Sequence, residues 1–363
     1  MYNSNYFCKS IFFTLKKLLA RLSNWEAWPF KLIYAPLVPF WLGYMVRSGA
    51  VWFFTPSNPK LTFGGLDGEP KKEMYDLLPA HLYPATFNVL PGQSFDWIKT
   101  QLALKNISYP LVAKPEVGCA GVLFRKIDTE EELMQYHRII TVEYIIQSLV
   151  TYPMEVSVFY IRHPRKATGK ITGFLHKIPL NVEGDDFHTL EQLVLMHPKA
   201  AKRIGELHSK HKQNWHTVLP RGQKYMLSHA ANHNRGAHFI DLSAHIDEQL
   251  VSHFDALSHR INDFFYGRYD ILCNSIEDLK AGKNFSILEY NGCGAEPNHI
   301  YDTGYSLMQA YKEVLMHWKA LYQICRYNTQ QGTKPWPFLK GLRFRKQTNE
   351  HYKLIRALDQ QIP

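Results

Sequence analysis

The run Gly267-Arg-Tyr-Asp270, followed after a polar turn by Leu288-Glu-Tyr-Asn-Gly292, is the part of this 363-residue chain whose reading decides its fold. Alternating apolar and polar residues predict two strands, Tyr269–Cys273 and Phe285–Glu289, joined by the turn Asn274–Lys283. Successive strand residues face opposite ways, so Glu289 and Asn291 project together, and Asp270 on the neighbouring strand can join them. Two carboxylates and an amide oxygen are hard ligands suited to magnesium, which keeps water and phosphate oxygens in the rest of its shell. Calcium, with its larger shell, fits less well. Taken singly, the same letters also describe an edge strand with one arm of a salt bridge.

About 150 residues upstream lies Pro110-Leu-Val-Ala-Lys114-Pro, followed by Glu116-Val-Gly118-Cys-Ala-Gly121-Val. A strand ending in lysine, with a glycine-containing hairpin to Gly121–Ile127 behind it, sets an ammonium and several backbone N–H groups around one anion. A hairpin with a surface lysine would read the same way. Between the two runs the pattern alternates. It predicts a helix over Thr129–Ile140, opened by Thr129 with Glu132 as a capping box, and strands at Glu143–Gln147, Glu155–Arg162 and Lys170–Ile178. Apolar residues at three- and four-residue steps predict a long helix over Ser243–Phe265, and another over Ser306–Cys325. Five cysteines without a C-x-x-C pair suggest neither a zinc site nor a disulfide framework. The histidine groups His208, His211, His216 and His229, His233, His238 carry no carboxylate at fixed metal spacing, and read as surface and loop residues. No Gly-x-Ser-x-Gly elbow is present, which argues against a hydrolase of that kind.

The net charge of +10 sits on the two ends. Nucleic-acid binders usually carry such charge as a stripe on the folded domain, whereas aromatic-rich basic ends suit an anionic membrane surface. Ser10–Leu22 is a basic amphipathic run. Leu32–Phe54 is apolar but interrupted by Pro36, Pro39, Gly43, Arg47 and Gly49, with no cleavage site after it. Residues 1–54 therefore read as an interfacial or re-entrant anchor with Trp25, Trp28, Trp41 and Trp52 at headgroup level; a buried helical hairpin covering a catalytic domain or a dimer interface is the other reading. Residues 55–70, rich in Pro, Gly, Asn and Ser, read as a linker, and 328–363 as a basic tail.

Together the two runs, in this order and spacing, resemble the ATP-grasp superfamily, which includes D-alanine–D-alanine ligase, cyanophycin synthetase and glutathione synthetase. The resemblance runs from about Gly68 to Tyr311. It implies an α+β fold in which an N-terminal lobe (71–141) and a C-terminal lobe (142–327) clasp ATP. Carried over by residue, it makes Lys71 the first nucleotide lysine, with Lys72 a near competitor, and Lys114 the second, on the phosphates. Gly118 and Gly121 belong to the hairpin lid, Gln147, Leu149 and Val150 to the adenine hinge, and Glu155 to the ribose hydroxyls. Asp270, Glu289 and Asn291 become the magnesium triad, with manganese a substitute, and Arg268 stabilises the reacting carboxylate. Gly184-Asp-Asp-Phe-His-Thr189-Leu-Glu-Gln-Leu193 and Ala231-Asn232-His-Asn-Arg235-Gly236 resemble elements of cyanophycin-synthetase-like enzymes. By that likeness Asn232, Arg235 and Lys224 are phosphate or substrate contacts.

Two departures stand out. Asp186 and Cys119 replace smaller residues, and residues 1–70 lack the strand–helix alternation of the family's N-terminal substrate domain. The resemblance implies a carboxylate–amine ligase working through an acylphosphate. Its substrates are a small-molecule or lipid-linked carboxylate and an amine, with no nucleic-acid partner. The expected setting is the cytoplasm, at the inner face of a membrane, with a homodimer one option. The competing readings are a catalytically silent nucleotide-binding shell and a phosphate-transfer enzyme with a non-amine acceptor.

Overall fold

The computed structural model describes residues 24–119, 121–228, 231–261 and 264–362. Two short helices come first, α1 (Phe30–Tyr34) and α2 (Val38–Ser48), and α3 (Lys71–Leu77) follows after a run of tight turns. The first lobe then contains β1 (Thr86–Val89), α4 (Phe95–Leu104), β2 (Leu111–Pro115), β3 (Arg125–Ile127), α5 (Glu130–Ile139) and β4 (Tyr144–Ser148). Its antiparallel sheet has the order β1-β4-β2-β3. Ile98 and Leu102 of α4 and Leu133 and Tyr136 of α5 pack on one face, while the other face carries Lys114 and Gln147 towards a cleft. The expected capping residue is in place, since Thr129 Oγ accepts from the Glu132 N–H at 3.3 Å.

The second lobe is built on β5 (Met154–Ile161), β6 (Lys170–Ile178), a small ribbon of β7 (Asn181–Glu183) and β8 (Lys224–Met226) with α6 (Leu190–Met196) and α7 (Ile204–Lys210), then β9 (His238–Asp241), α8 (Glu248–Ile261), β10 (Tyr266–Cys273), α9 (Ile276–Lys280) and β11 (Phe285–Asn291). Its main sheet is antiparallel in the order β11-β10-β5-β6-β9. On one face Leu250, Phe254, Leu257 and Ile261 of α8 bury against Tyr269, Ile271, Val158 and Ile287. Half of the other face is covered by α10 (Leu307–Gln330), whose Leu321 and Ile324 meet Phe159 and Tyr266. The uncovered half faces the first lobe. Residues 149–153 carry the chain from one sheet to the other.

The two ends of the chain differ from their reading as anchor, linker and tail. Among the described residues no helix is long and apolar enough to cross a membrane; the amphipathic run Ser10–Leu22 lies outside them. Trp25 is buried on Tyr301, with ring centroids 5.6 Å apart. Trp41 stands edge-on to Trp318 at 5.0 Å, and Trp52 lies flat on Phe338. These tryptophans thus pack against protein, as in the helical-hairpin reading. The supposed linker is core: Phe53, Phe54 and Phe63 are almost fully buried together. Its glycines serve close approach rather than flexibility, because Cys293 and Gly294 N–H groups bond the Gly64 and Gly65 carbonyls, and a Cβ on Gly65 would sit 2.7 Å from the Gly292 Cα. The basic tail is α11 (Phe338–Asp359). It closes the first lobe's core through Tyr352, Ile355 and Leu358, and Asp359 pairs with Arg125 at 2.9 Å.

Smaller differences have local causes. The second hairpin strand is short, 125–127, because Leu123 adopts a left-handed conformation at φ 60°. The long helix begins at Glu248, where the Asp247 carboxylate accepts from the Leu250 N–H at 2.9 Å. Both strands of the deciding run extend beyond their expected bounds.

Candidate active site

Register explains why the site residues share one face. In the β10–β11 pair Asp270 stands opposite Glu289 and Arg268 opposite Asn291, so all four side chains project from the same side of the sheet. In the β10–β5 pair Leu272, two residues from Asp270 and on its face, stands opposite Glu155. Lys177 on β6 reaches both acids from the next strand, its Nζ 2.6 Å from Glu155 and 3.2 Å from Asp270. A bulge beside Leu288 interrupts the β10–β11 ladder there, a common way to re-aim a side chain at a site.

Asp270 is the hub. Arg268 grips it through Nε at 3.2 Å and a terminal nitrogen at 3.1 Å, and Asn291 Nδ2 donates to it at 3.2 Å. With Lys177 these donors fill the acceptor capacity of a carboxylate, which offers about four lone-pair positions. Burial pushes the Asp270 pKa up, but Arg268 and Lys177 outweigh it and hold the group below its ordinary value. Burial likewise works against the charge of Lys177, and Asp270 and Glu155 overcome it. Glu155 goes the other way: desolvation raises its pKa despite the Lys177 contact.

The sheet face and the first lobe enclose a cleft of about 660 Å³. Lys114 and Gln147 line one wall, Glu155, Asp270 and Glu289 the other, with Leu149 and Val150 of the inter-lobe crossing at the end and Lys224 and Asn232 at the rim. Lys114 is half-buried, and desolvation lowers its pKa; its Nζ lies 3.5 Å from the Tyr75 hydroxyl. Gln147 donates to the same hydroxyl at 2.9 Å; Tyr75 donates to the Leu288 carbonyl at the bulge and so ties the lobes together.

A second cavity of about 360 Å³ adjoins the cleft. Lys71, Gly118, Cys119, Lys177, Asn232 and Glu289 line both spaces. Lys71 is the nucleotide-lysine candidate that reaches the junction, with its Nζ 4.0 Å from Glu289, whereas Lys72 points away to Asp76. The second cavity is polar. Glu296 accepts from the Tyr34 hydroxyl at 2.5 Å and the Tyr301 hydroxyl at 2.6 Å, and Arg268 reaches the Glu296 carbonyl at 3.2 Å. Glu69 in its wall has its pKa pushed up to about 7, chiefly by burial. Residues 61, 66–70 and Tyr352 thus line the second cavity, and Tyr34 is a partner of its Glu296.

Arg235 is the outlier among the expected site residues. It lies in the 3-10 turn His233–Arg235, pairs with Glu206 at 3.2 Å, and lines neither space. Gly121 lines the cleft at φ 72°. Lys177, Glu69, Glu296 and Tyr301 are site residues that the sequence reading missed. Lys177 alone left a signal, a charge set between His176 and Ile178 inside the expected strand Lys170–Ile178.

The donor set suits magnesium. Asn291 donates its amide N–H to Asp270, which leaves its carbonyl oxygen for another partner, and Glu289 is 43% exposed beside it. Both are oxygen donors of the hard type. Asp270 joins them only if one of its present donors turns away.

Most of the histidines singled out in the sequence have protein partners: His233 stacks on Tyr301 and His238 lies 3.5 Å from Asp302. His211 bonds the Tyr225 hydroxyl and the Leu227 carbonyl, His208 packs on Trp215, His216 is exposed near Glu191, and His229 lies outside the described residues. Two buried rings behind the site matter more, since Glu313 sits 3.0 Å from His299 and 3.2 Å from His317. Burial lowers His317 to about 4 and the two rings hold Glu313 at about 2 despite its own burial. Both groups have folded pKa values below their unfolded ones. The folded state therefore binds fewer protons, and stability is lost as pH falls, from about 6.5 for His317 and from about 4.5 for Glu313. Urea unfolding should show stability dropping by up to about 1.4 kcal/mol per pH unit between pH 6.5 and 4. His317→Asn should flatten that slope, and an unchanged slope would remove His317 as its source.

No family profile matches the sequence, and no curated relative does. Among solved structures the chain is similar to a D-alanine–D-alanine ligase from Bacillus anthracis at 13% identity and TM-score 0.42, over 72% of this chain and 69% of that one. It is similar to a bifunctional glutathione synthetase from Pasteurella multocida at 15% identity and TM-score 0.39, over 73% of this chain and 38% of that one. It is also similar to an N5-carboxyaminoimidazole ribonucleotide synthetase at 16% identity and TM-score 0.40, over 71% and 51%.

Proposed function

We propose that the chain is a magnesium- and ATP-dependent carboxylate–amine ligase that forms an amide or peptide bond through an acylphosphate. One observation carries the reading: a nucleotide-sized cleft and a smaller polar cavity meet at a shared wall of Lys71, Lys177, Asn232 and Glu289. A phosphoryl group passing from the first space to a carboxylate in the second would cross that wall.

In this reading the adenine lies by Leu149 and Val150, with Gln147 behind it, and the ribose near Glu155. Lys114 and Lys71 face the phosphates. Bound magnesium would bridge phosphate oxygens and neutralise the charge that develops on transfer; Glu289 and Asn291, with Asp270, would hold it. Arg268 spends one N–H of each nitrogen on Asp270 and the Glu296 carbonyl. A second N–H remains on both terminal nitrogens to stabilise the oxyanion formed when the amine attacks. Glu69, with its pKa near 7, is placed to take the proton that an attacking ammonium must lose. The Gly118–Gly121 hairpin closes over the phosphates and keeps water from the acylphosphate.

The test is ADP release by purified protein given ATP, magnesium and panels of amino acids and other carboxylates and amines, followed by mass spectrometry of the product. The reading expects ADP formation that needs both a carboxylate and an amine, and a product joined by an amide. No ADP release with any pair would overturn it. A phosphorylated product without an amine would instead establish phosphate transfer to another acceptor.

A further inference from the structure

One surface of the molecule is apolar where a protein in water is expected to be polar. On α1 and α2 the side chains of Phe30, Leu32, Val38, Phe40, Leu42 and Val46 are all exposed, from 47% for Val38 to 82% for Val46. No residue of α2 is buried. The same helix turns Trp41 onto Phe53 and Tyr44 onto Tyr322, so its outward face is not a sign of a helix without a place. A second exposed apolar group, Phe338, Leu339 and Leu342, opens α11. The two groups border one aromatic cluster, since Trp52 of that cluster stacks on Phe338 and donates its indole N–H to the Phe338 carbonyl at 3.0 Å. Two exposed apolar groups on the borders of one aromatic cluster mark a docking face.

Charge identifies the occupant. Residues 27–66 and 314–349, which contain the face and the aromatic cluster beneath it, hold no Asp or Glu. They carry Lys31, Arg47, Lys60, Lys319, Arg326, Lys334, Lys340, Arg343, Arg345 and Lys346, which match in number the net charge of +10 of the whole chain. Lys31, Arg47, Lys340 and Arg343 are exposed among the apolar side chains themselves. A second copy of this chain would bring like charge against like charge. An anionic phospholipid surface offers the complement to both features, hydrocarbon for the aromatic and aliphatic side chains and phosphates for the cations.

We propose that α1, α2 and the start of α11 form a monotopic docking face for anionic phospholipid bilayers. The face binds in the interface without crossing the bilayer, and it differs from the tryptophan anchor that the sequence suggests, because Trp25, Trp41 and Trp52 are engaged inside the protein. This assignment is independent of the ligase reading, as none of these residues lines the cleft or the second cavity.

The experiment is flotation of the full chain with vesicles of phosphatidylglycerol and phosphatidylcholine, against phosphatidylcholine alone, with solution mass measured by light scattering. The mixed vesicles should carry the protein and the neutral ones should carry at least about tenfold less. Phe40→Glu with Val46→Glu should lower the bound fraction by about tenfold or more, and Lys340→Glu with Arg343→Glu should lower it on the anionic vesicles, both with unchanged melting temperature. Equal flotation of parent and variants would overturn the proposal. So would absence of binding together with a dimer that Phe40→Glu and Val46→Glu dissociate, which would make the face a contact between copies. A monomer that binds neither vesicle would overturn it as well.

Discussion

Glu289→Gln should abolish ATP turnover, lowering ADP release by on the order of 10³-fold, or about 4 kcal/mol of barrier, while the protein melts as the parent does. The substitution keeps shape and volume and removes one negative charge at the place where cleft and cavity meet. Glu289 is 43% exposed and its nearest cation, Lys71, is 4.0 Å away, so the folded state loses little. Surface pairs of this kind are worth at most about 1 kcal/mol. Function loses much more, because a carboxamide is a weaker ligand for a hard divalent ion and phosphoryl transfer relies on charge neutralisation. Calorimetry should agree: the parent's ATP affinity should rise with magnesium or manganese, and the variant's should respond far less. Parent-like ADP production by the variant would remove Glu289 from the metal site and with it the proposed use of the shared wall.

The parts of this site legible in sequence are those whose cause is local. Glu289 and Asn291 share a face because of the two-residue period of a strand, and Thr129 caps its helix through a bond three residues away. What sequence left open depends on partners distant in the chain. Lys71 and Lys72 are adjacent letters, and only the packing of α3 sends the first to Glu289 and the second to Asp76. Lys177 lies 22 positions from Glu155 and 93 from Asp270 by their numbers, and its role appears only once β6 is paired with β5. Residues 55–70 have a linker's composition, yet the glycines there let two backbones touch. The ends were the hardest to read because an apolar helix looks alike whether protein, lipid or a second copy covers it. Here one helix does two things, with Trp41 packed on Trp318 and Val46 facing out. In α11 the arginines and lysines hide a stripe of Tyr352, Ile355 and Leu358 that closes a core.

Lys177→Met should cost about 3–5 kcal/mol of folding stability, the range for removing one partner of a buried ion pair. Lys177 is 4% exposed and is the only cation within salt-bridge distance of Glu155 among the described residues, while Asp270 keeps Arg268. Methionine fills most of the space, so the loss is electrostatic rather than a cavity. The pH dependence follows from sign. Glu155 already has its pKa raised by burial in spite of Lys177, and without the ammonium the pKa rises further. A carboxylate raised in the folded state penalises folding in full above its folded pKa and not at all below its unfolded value near 4.5. The deficit of Lys177→Met should therefore be largest at pH 8 and shrink as pH falls towards 4.5, measured by urea unfolding of both proteins. Adding Glu155→Gln should restore part of the loss at pH 8, because the acid left without its partner is then gone. A single variant within about 1 kcal/mol of the parent at pH 8, the size of an exposed pair, would mean that water reaches this triad.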